Sequence, residues 1–214
     1  YLPSGVARAL QSRRTRTIGM VVTTTTNPFF GEVIRGVERR SFERGYTLML
    51  CNTDDVTTNL VAYTQTLLTK RVDAIVVMTS NASPDFFHRL GEIKRIPMVG
   101  IDAPPGALSS VFSDDSVACG RIVANHLADR GFTRIACVTG PRQHPRMADR
   151  ITGFTAALAA RGLAPTAIVE TDLDANGGWT AARRLLESGP PPEAVFALSD
   201  ILAIGLLHGI FERG

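Results

Sequence analysis

Arg8, Arg13, Arg14 and Arg16 all precede the first acid of the chain, Glu32. Guanidinium groups are permanently charged forks suited to phosphate oxygens, and a basic segment at a domain edge often contacts phosphates. On charge alone, a solvated basic tail accounts for the same residues. The segment they occupy, residues 1–16, is short, helix-capable and free of acids. It stops where Ile18-Gly19-Met20-Val21-Val22 begins a buried-strand pattern. A basic arm in front of an α/β small-molecule domain is what a protein coupling a ligand to nucleic acid requires.

Motifs of catalysis are missing. The chain has no G-x-S-x-G, no Walker A loop, no H-E-x-x-H and no G-x-G-x-x-G after its first strand. His88, His126 and His208 fall on predicted helices, and no two histidines have ligand spacing. His144 falls on a loop after a predicted strand, where it could touch a ligand. Asp54-Asp55 and Asp114-Asp115 are paired acids without a metal-ligand set, so they read as turn or cap residues. Thr23 to Thr26 reads either as a strand extension or as a hydroxyl-lined lip, and Trp179 as core packing. The reading is of a binding protein with no cofactor and no metal, and not of an enzyme.

The composition is that of a globular chain: 214 residues, 44% hydrophobic, 20% charged, net charge +3. No apolar run approaches the roughly 20 residues of a membrane span, and no apolar leader precedes the first strand. Cys51, Cys119 and Cys137 are odd in number and widely spaced, which suits reduced thiols in a cytoplasmic protein. Cys51 and Cys137 fall on predicted strands as small core residues.

Strands and helices alternate with short Gly/Pro punctuation, the pattern of a parallel sheet wrapped by helices. Strands are expected over 17–24, 46–51, 72–78, 97–101 and 110–113, with helices over 29–44, 57–70 and 84–94. The alternation restarts with helix 116–130, strand 134–139, helix 146–161, strand 167–170, helix 177–187, strand 194–197 and helix 200–211. The break near residue 114 implies two lobes with a cleft between them. Ligands of such sheets bind beyond the carboxyl ends of the strands. The residues at those ends are mostly polar or aromatic, which suits a sugar-like ligand.

Strung along the chain are Ile18-Gly19, Asn27-Pro28-Phe29-Phe30, Arg35-Gly36-Val37-Glu38, Phe42-Glu43-Arg44-Gly45-Tyr46 and Lys70-Arg71-Val72-Asp73. They are followed by the run Arg134 to Pro141, then Arg150 and Gly153-Phe154. In this order they resemble the lactose/galactose-repressor family of bacterial transcription regulators. Cys51-Asn52-Thr53 and Asn176-Gly177-Gly178 look most like its ribose-type members, with the purine-type next. The resemblance implies an α/β fold of the two-lobed, type I periplasmic-binding-protein-like kind, parallel sheets flanked by helices, with its C-terminal part truncated. Residues 1–16 would be a hinge helix or linker to an absent DNA-binding domain. Residues 17–113 would be the N-terminal effector-binding lobe and 114–214 an incomplete C-terminal one.

The same resemblance assigns roles. Tyr1-x-Pro3-Ser4-x-x-Ala7-Arg8-x-Leu10 matches the family's hinge helix, with Leu10 at the position of a minor-groove wedge. Ser4, Arg8, Arg13 and Arg14 would join it against DNA. Asn27, Phe29, Phe30 and Asp102 match first-lobe ligand residues, Arg150 matches the gripping arginine of the second lobe, and Ser199-Asp200 matches an Asn-Asp pair. Ser199, Leu173 and Ala148 depart from the pattern, standing where asparagine, an aromatic and a second arginine are usual. His144 and Leu173 complete the expected ligand set. The competing reading of Arg150 is an ion pair with Asp149.

The function implied is the ligand-binding core of a DNA-binding repressor that answers to a small sugar such as a pentose. Its partners would be that effector, operator DNA and a second copy of the chain, with no membrane. A periplasmic sugar-binding protein for transport, or a purine-responsive regulator, is the alternative.

Overall fold

The computed structural model describes residues 14–79, 85–87, 96–103, 108 and 110–213. Ser4, Arg8, Leu10 and Arg13, with most of the helix expected over 84–94, lie outside the described residues. The chain divides into two compact units, Tyr1–Ser113 and Asp114–Gly214.

The first unit runs β1 (Thr17–Val22), α1 (Pro28–Glu43), β2 (Thr47–Asn52), α2 (Thr57–Thr69), β3 (Ala74–Met78), β4 (Met98–Ile101) and β5 (Val111–Phe112). All strands are parallel, in the order β2-β1-β3-β4-β5. Successive strand side chains alternate between faces. Met20 and Val22 therefore meet Phe30, Val33, Ile34 and Val37 of α1. Val21 joins Leu60, Leu67, Ile75 and Phe87 on the other face. Because both faces are covered, β1 is buried from Gly19 to Val22.

Local chemistry moves two expected boundaries. The first strand stops at Val22, because Thr24 and Thr26 bond to each other through their hydroxyls at 2.9 Å and Thr26 N donates to Thr24 Oγ1. Threonine hydroxyls offer the backbone this alternative to a ladder. Likewise β3 starts at Ala74, not Val72, since Val72 N still donates to Leu67 O and Arg71 is left-handed at φ 57°. The turn between α1 and β2 needs Gly45: it sits at φ 73° while Tyr46 N bonds back to Ser41 O.

The second unit runs α3 (Ser116–Asp129), β6 (Ile135–Thr139), α4 (Pro145–Ala159), β7 (Ala167–Glu170), α5 (Ala175–Glu187), β8 (Ala194–Ala197) and α6 (Asp200–Phe211). Its strands are parallel, in the order β7-β6-β8. Central β6 is buried at all five positions. Ile135 and Cys137 pack with Phe154 and Leu158 of α4, while Ala136 and Val138 pack with α5 and α6. Cys51 and Cys137 are both core residues, and burial pushes the Cys137 thiol up to about 12. Trp179 is half-buried at an edge instead of in the core. Its Nε1 donates to Glu212 Oε2 at 2.6 Å, and Arg183 lies 5.2 Å from the ring centroid.

Helices α3 and α4 touch backbone to backbone. A Cβ at Gly120 would lie 2.0 Å from Arg150 O, and one at Gly153 would lie 1.9 Å from Val117 O. Only glycine at both positions allows this approach, and the approach ties Arg150 to the start of α3. Gly36 of α1 is the opposite case, with nothing within 4 Å of the Cβ it lacks. Gly153→Ala should destabilise the second unit by about 1–3 kcal/mol through overpacking. Gly36→Ala should stabilise the first by up to about 1 kcal/mol through helix propensity. Thermal melts of the two variants, expected to shift in opposite directions, check both.

Candidate functional site

In the first sheet the winding reverses between β1 and β3, and in the second between β6 and β8. Ligands of open parallel sheets bind beyond the carboxyl ends at such reversals. Among the candidate residues, those following β1, β6 and β8 flank these reversals, and Asp102 follows β4, one strand further along the first sheet.

After β1, Asn27 caps α1: its Oδ1 accepts from Phe29 N at 3.1 Å, and Pro28 opens the helix with a preset φ. This cap places two aromatic rings side by side in the first turn. Their centroids are 5.9 Å apart in an edge-to-face arrangement. They divide the work. Phe30 packs on Met20, Val22 and Met78, whereas Phe29 is 47% exposed. After β4, Asp102 sits at φ 58°, held there as its N–H donates to Phe112 O at 2.8 Å. A left-handed aspartate is a strained position, and strain of this kind collects at ligand clamps.

In the second unit, Arg150 projects from α4. Its Nη1 donates to Leu198 O at 2.6 Å and its Nη2 to Asp114 Oδ2 at 3.1 Å. The same Asp114 oxygen takes Arg146 Nη2 at 2.5 Å, and Ser116 Oγ donates to the other oxygen at 2.8 Å. The two arginine side chains are only 16% and 18% exposed. Arg150 thus pairs with Asp114 and not with Asp149. Burial works to raise the Asp114 carboxyl, but the Ser116 hydroxyl and the two guanidiniums outweigh it and hold the group below its usual range.

The remaining expected residues have the following places. Ser199 caps α6, its Oγ accepting from Leu202 N at 3.4 Å, and Asp200 opens the first turn, where a negative charge suits the helix dipole. His144 holds the N-cap position of α4. Leu173 is half-buried against Gly140 and bridges both core clusters of the unit. Arg14 is exposed and lines a cavity of about 720 Å³ with Tyr46, Arg71 and Asp73. That cavity opens at the amino ends of the first sheet, the opposite end from Asn27 and Asp102.

Sequence reasoning missed Asp114 and Arg146. Asp115 is the cap it expected of that acid pair, accepting from Ala118 N at 2.8 Å. Asp114 is instead the hub of the arginines. A signal was present: Arg146 and Arg150 stand four apart, on one helix face, next to the expected ligand arginine. Among the described residues no cluster of His, Cys, Asp or Glu could hold a metal ion. No described helix is long and apolar enough to cross a membrane.

Two parallel α/β units, divided at residues 113 and 114, are the architecture of the periplasmic-binding-protein fold. The chain belongs to the family described as periplasmic binding proteins and the sugar-binding domain of the LacI family, which it matches over residues 15–214. It is 38% identical over 215 residues to the ribose operon repressor of Escherichia coli strain K12, covering 99% of this chain and 65% of that protein. It is also 38% identical over 217 residues to the transcriptional repressor PurR of Vibrio cholerae, covering 100% of this chain and 65% of that protein. The chain thus spans 65% of the length of these relatives. A LacI-family regulator from Enterococcus faecium, solved with bound ribose, superposes with a TM-score of 0.81 at 30% identity, covering 92% of this chain and 72% of that one.

Asp114's lowered pKa has a sign. Its contribution to stability is present above the unfolded aspartate pKa of about 3.9 and is lost as pH falls through the lower folded value. Asp114→Asn should lower the melting temperature of the second unit at pH 7 and flatten its fall below about pH 4. Calorimetric melts across pH 2–7 (roughly, spanning that ordinary carboxylate range) check the difference.

Proposed function

We propose that this chain is the effector-binding core of a bacterial transcription repressor and that its effector is a pentose of the ribose type. The observation that carries this reading is Arg150. It is largely buried at the carboxyl end of the second sheet, oriented by the Leu198 carbonyl and Asp114, at the position of the family's ligand-gripping arginine. Relatives named for ribose control and a neighbour holding ribose support the pentose. Asn27, Phe29, Phe30 and Asp102 supply amide, aromatic and carboxylate groups from the first unit, which suits a ligand with hydroxyls on an apolar ring face. Ser199, Leu173 and Ala148 stand where the ligand's fit differs from that of the ribose-type pattern, and His144 is a further candidate contact.

Coupling to DNA requires only that the effector bind two states of the protein with different affinity. In this reading residues 1–16 are the hinge, with Ser4, Arg8, Leu10, Arg13 and Arg14 against the duplex and a second copy contributing the matching arm. Phosphate contacts of this type weaken steeply with salt. A purine effector is the second reading, favoured by the equal identity to PurR.

Titration calorimetry of the purified protein with ribose, other pentoses, hexoses and purine bases tests the reading. A pentose should bind, and Arg150→Gln should weaken it about 10²-fold, the loss of a charge-assisted pair of hydrogen bonds. Heat only with purines would replace the first reading by the second, and heat with none of them would defeat both.

A further inference from the structure

The entrance to β1 is held by a carboxylate. Asp73, the residue directly before β3, accepts from Thr15 N at 2.9 Å and from Arg16 N at 3.0 Å. Thr15 Oγ1 lies 3.2 Å from the same carboxylate and donates to Arg71 O at 2.9 Å. Asp73 N in turn donates to Thr17 O at 2.8 Å, while Thr47 N at the start of β2 donates to Arg16 O at 2.9 Å. Arg16 itself is left-handed at φ 52°. The two residues before the strand are therefore tied on one side to β3 and on the other to β2. Two backbone N–H groups on one charged acceptor are stronger and more directional than neutral bonds.

The second unit repeats the device. Glu193, directly before β8, accepts from Thr133 N at 2.9 Å and Arg134 N at 3.0 Å, ahead of β6. In both places a Thr-Arg pair enters a strand flanked on both sides, and an acid before the unit's third strand in chain order collects its N–H groups. What is fed in differs. Thr133 follows α3 through the Gly131 turn, so the Glu193 clamp closes a loop within its own unit. Thr15 follows the basic segment, so the Asp73 clamp holds a chain that arrives from outside the sheet.

We propose that Asp73 is a positioning residue for the arm: it fixes the direction in which residues before Thr15 leave the first unit, and so how the arm's arginines are presented to nucleic acid. The DNA part of this inference rests on the function proposed above; the clamp itself does not. With Thr15 and Arg16 bound to both neighbours of β1, any displacement of β2 or β3 at this end carries those two residues with it. Without the carboxylate, Thr15 and Arg16 keep the Thr15 Oγ1 bond to Arg71 O and the Thr47 N bond to Arg16 O.

Two measurements test it. In limited tryptic digestion of the 214-residue chain, Asp73→Asn should raise cleavage after Arg14 and Arg16 about tenfold, as expected when one of the two acceptor oxygens and the charge on the other are lost. Thr15→Ala, which keeps the backbone bonds, should raise it less, and Glu193→Gln should leave it unchanged. In the full-length protein, Asp73→Asn should weaken operator binding about tenfold, or 1.4 kcal/mol, with effector affinity unchanged and Glu193→Gln again without effect. Equal cleavage in wild type and Asp73→Asn overturns the clamp. An equal loss of operator affinity in Asp73→Asn and Glu193→Gln overturns the positioning role, since both would then act only through fold stability. Should the wild type bind no DNA, the regulator reading fails, and the digestion still decides the clamp.

Discussion

One carboxylate oxygen shared by two guanidinium groups organises the candidate ligand residues of the second unit. Arg146 and Arg150 are each mostly removed from water, and two such cations on one helix face repel unless an anion lies between them. Asp114 is that anion, and its second oxygen is occupied by Ser116. Arg150 reaches a further acceptor, the Leu198 carbonyl at the end of β8. The start of α3, the first turns of α4 and the end of β8 are thereby joined by hydrogen bonds at one point. The glycine contact between α3 and α4 makes this possible, because it brings the Arg150 backbone against Gly120.

The amino ends of the strands carry a matching arrangement of the same kind. Asp73 and Glu193 each collect the N–H groups of a Thr-Arg pair that leads into a strand flanked on both sides. For Glu193 these bonds outweigh desolvation and hold the group below the usual carboxylate range, the largest cause being the Arg134 backbone donor. Each sheet is thus pinned at its amino end by an acid, with the candidate ligand residues at the other. In the first unit the pinned end is also where Thr15 and Arg16 enter, so the entry of the chain and the candidate ligand residues lie at opposite ends of the same strands. A parallel sheet buried on both faces transmits displacement between those ends with little internal give.

Much of this was legible in the residues. The strand–helix alternation, the break near residue 114, the Asn27 cap with its Pro28, and the burial of Cys51 and Cys137 follow from periodicity and from the turn and cap preferences of single residues. The boundaries that shifted did so for local reasons: the Thr24–Thr26 hydroxyl bond ended β1 early, and the left-handed Arg71 delayed β3. Trp179 was expected in the core from its place near a helix start, but its indole N–H requires a partner and finds the exposed Glu212. Asp114 read as a turn residue because its arginines lie more than thirty positions away in sequence.

The amino-acid sequence by itself determined the α/β class, the order of the elements, the family and the types of side chain available at the strand ends. These are short-range or pattern properties, carried by period, composition and runs of a few residues. Only the tertiary structure decided which of Phe29 and Phe30 faces solvent, that Asp114 and not Asp149 holds Arg150, and that Asp73 and Glu193 are equivalent clamps. Each of those depends on two segments meeting across a sheet or a helix crossing. Such meetings are set by packing of the whole core, and no local pattern of residues encodes them.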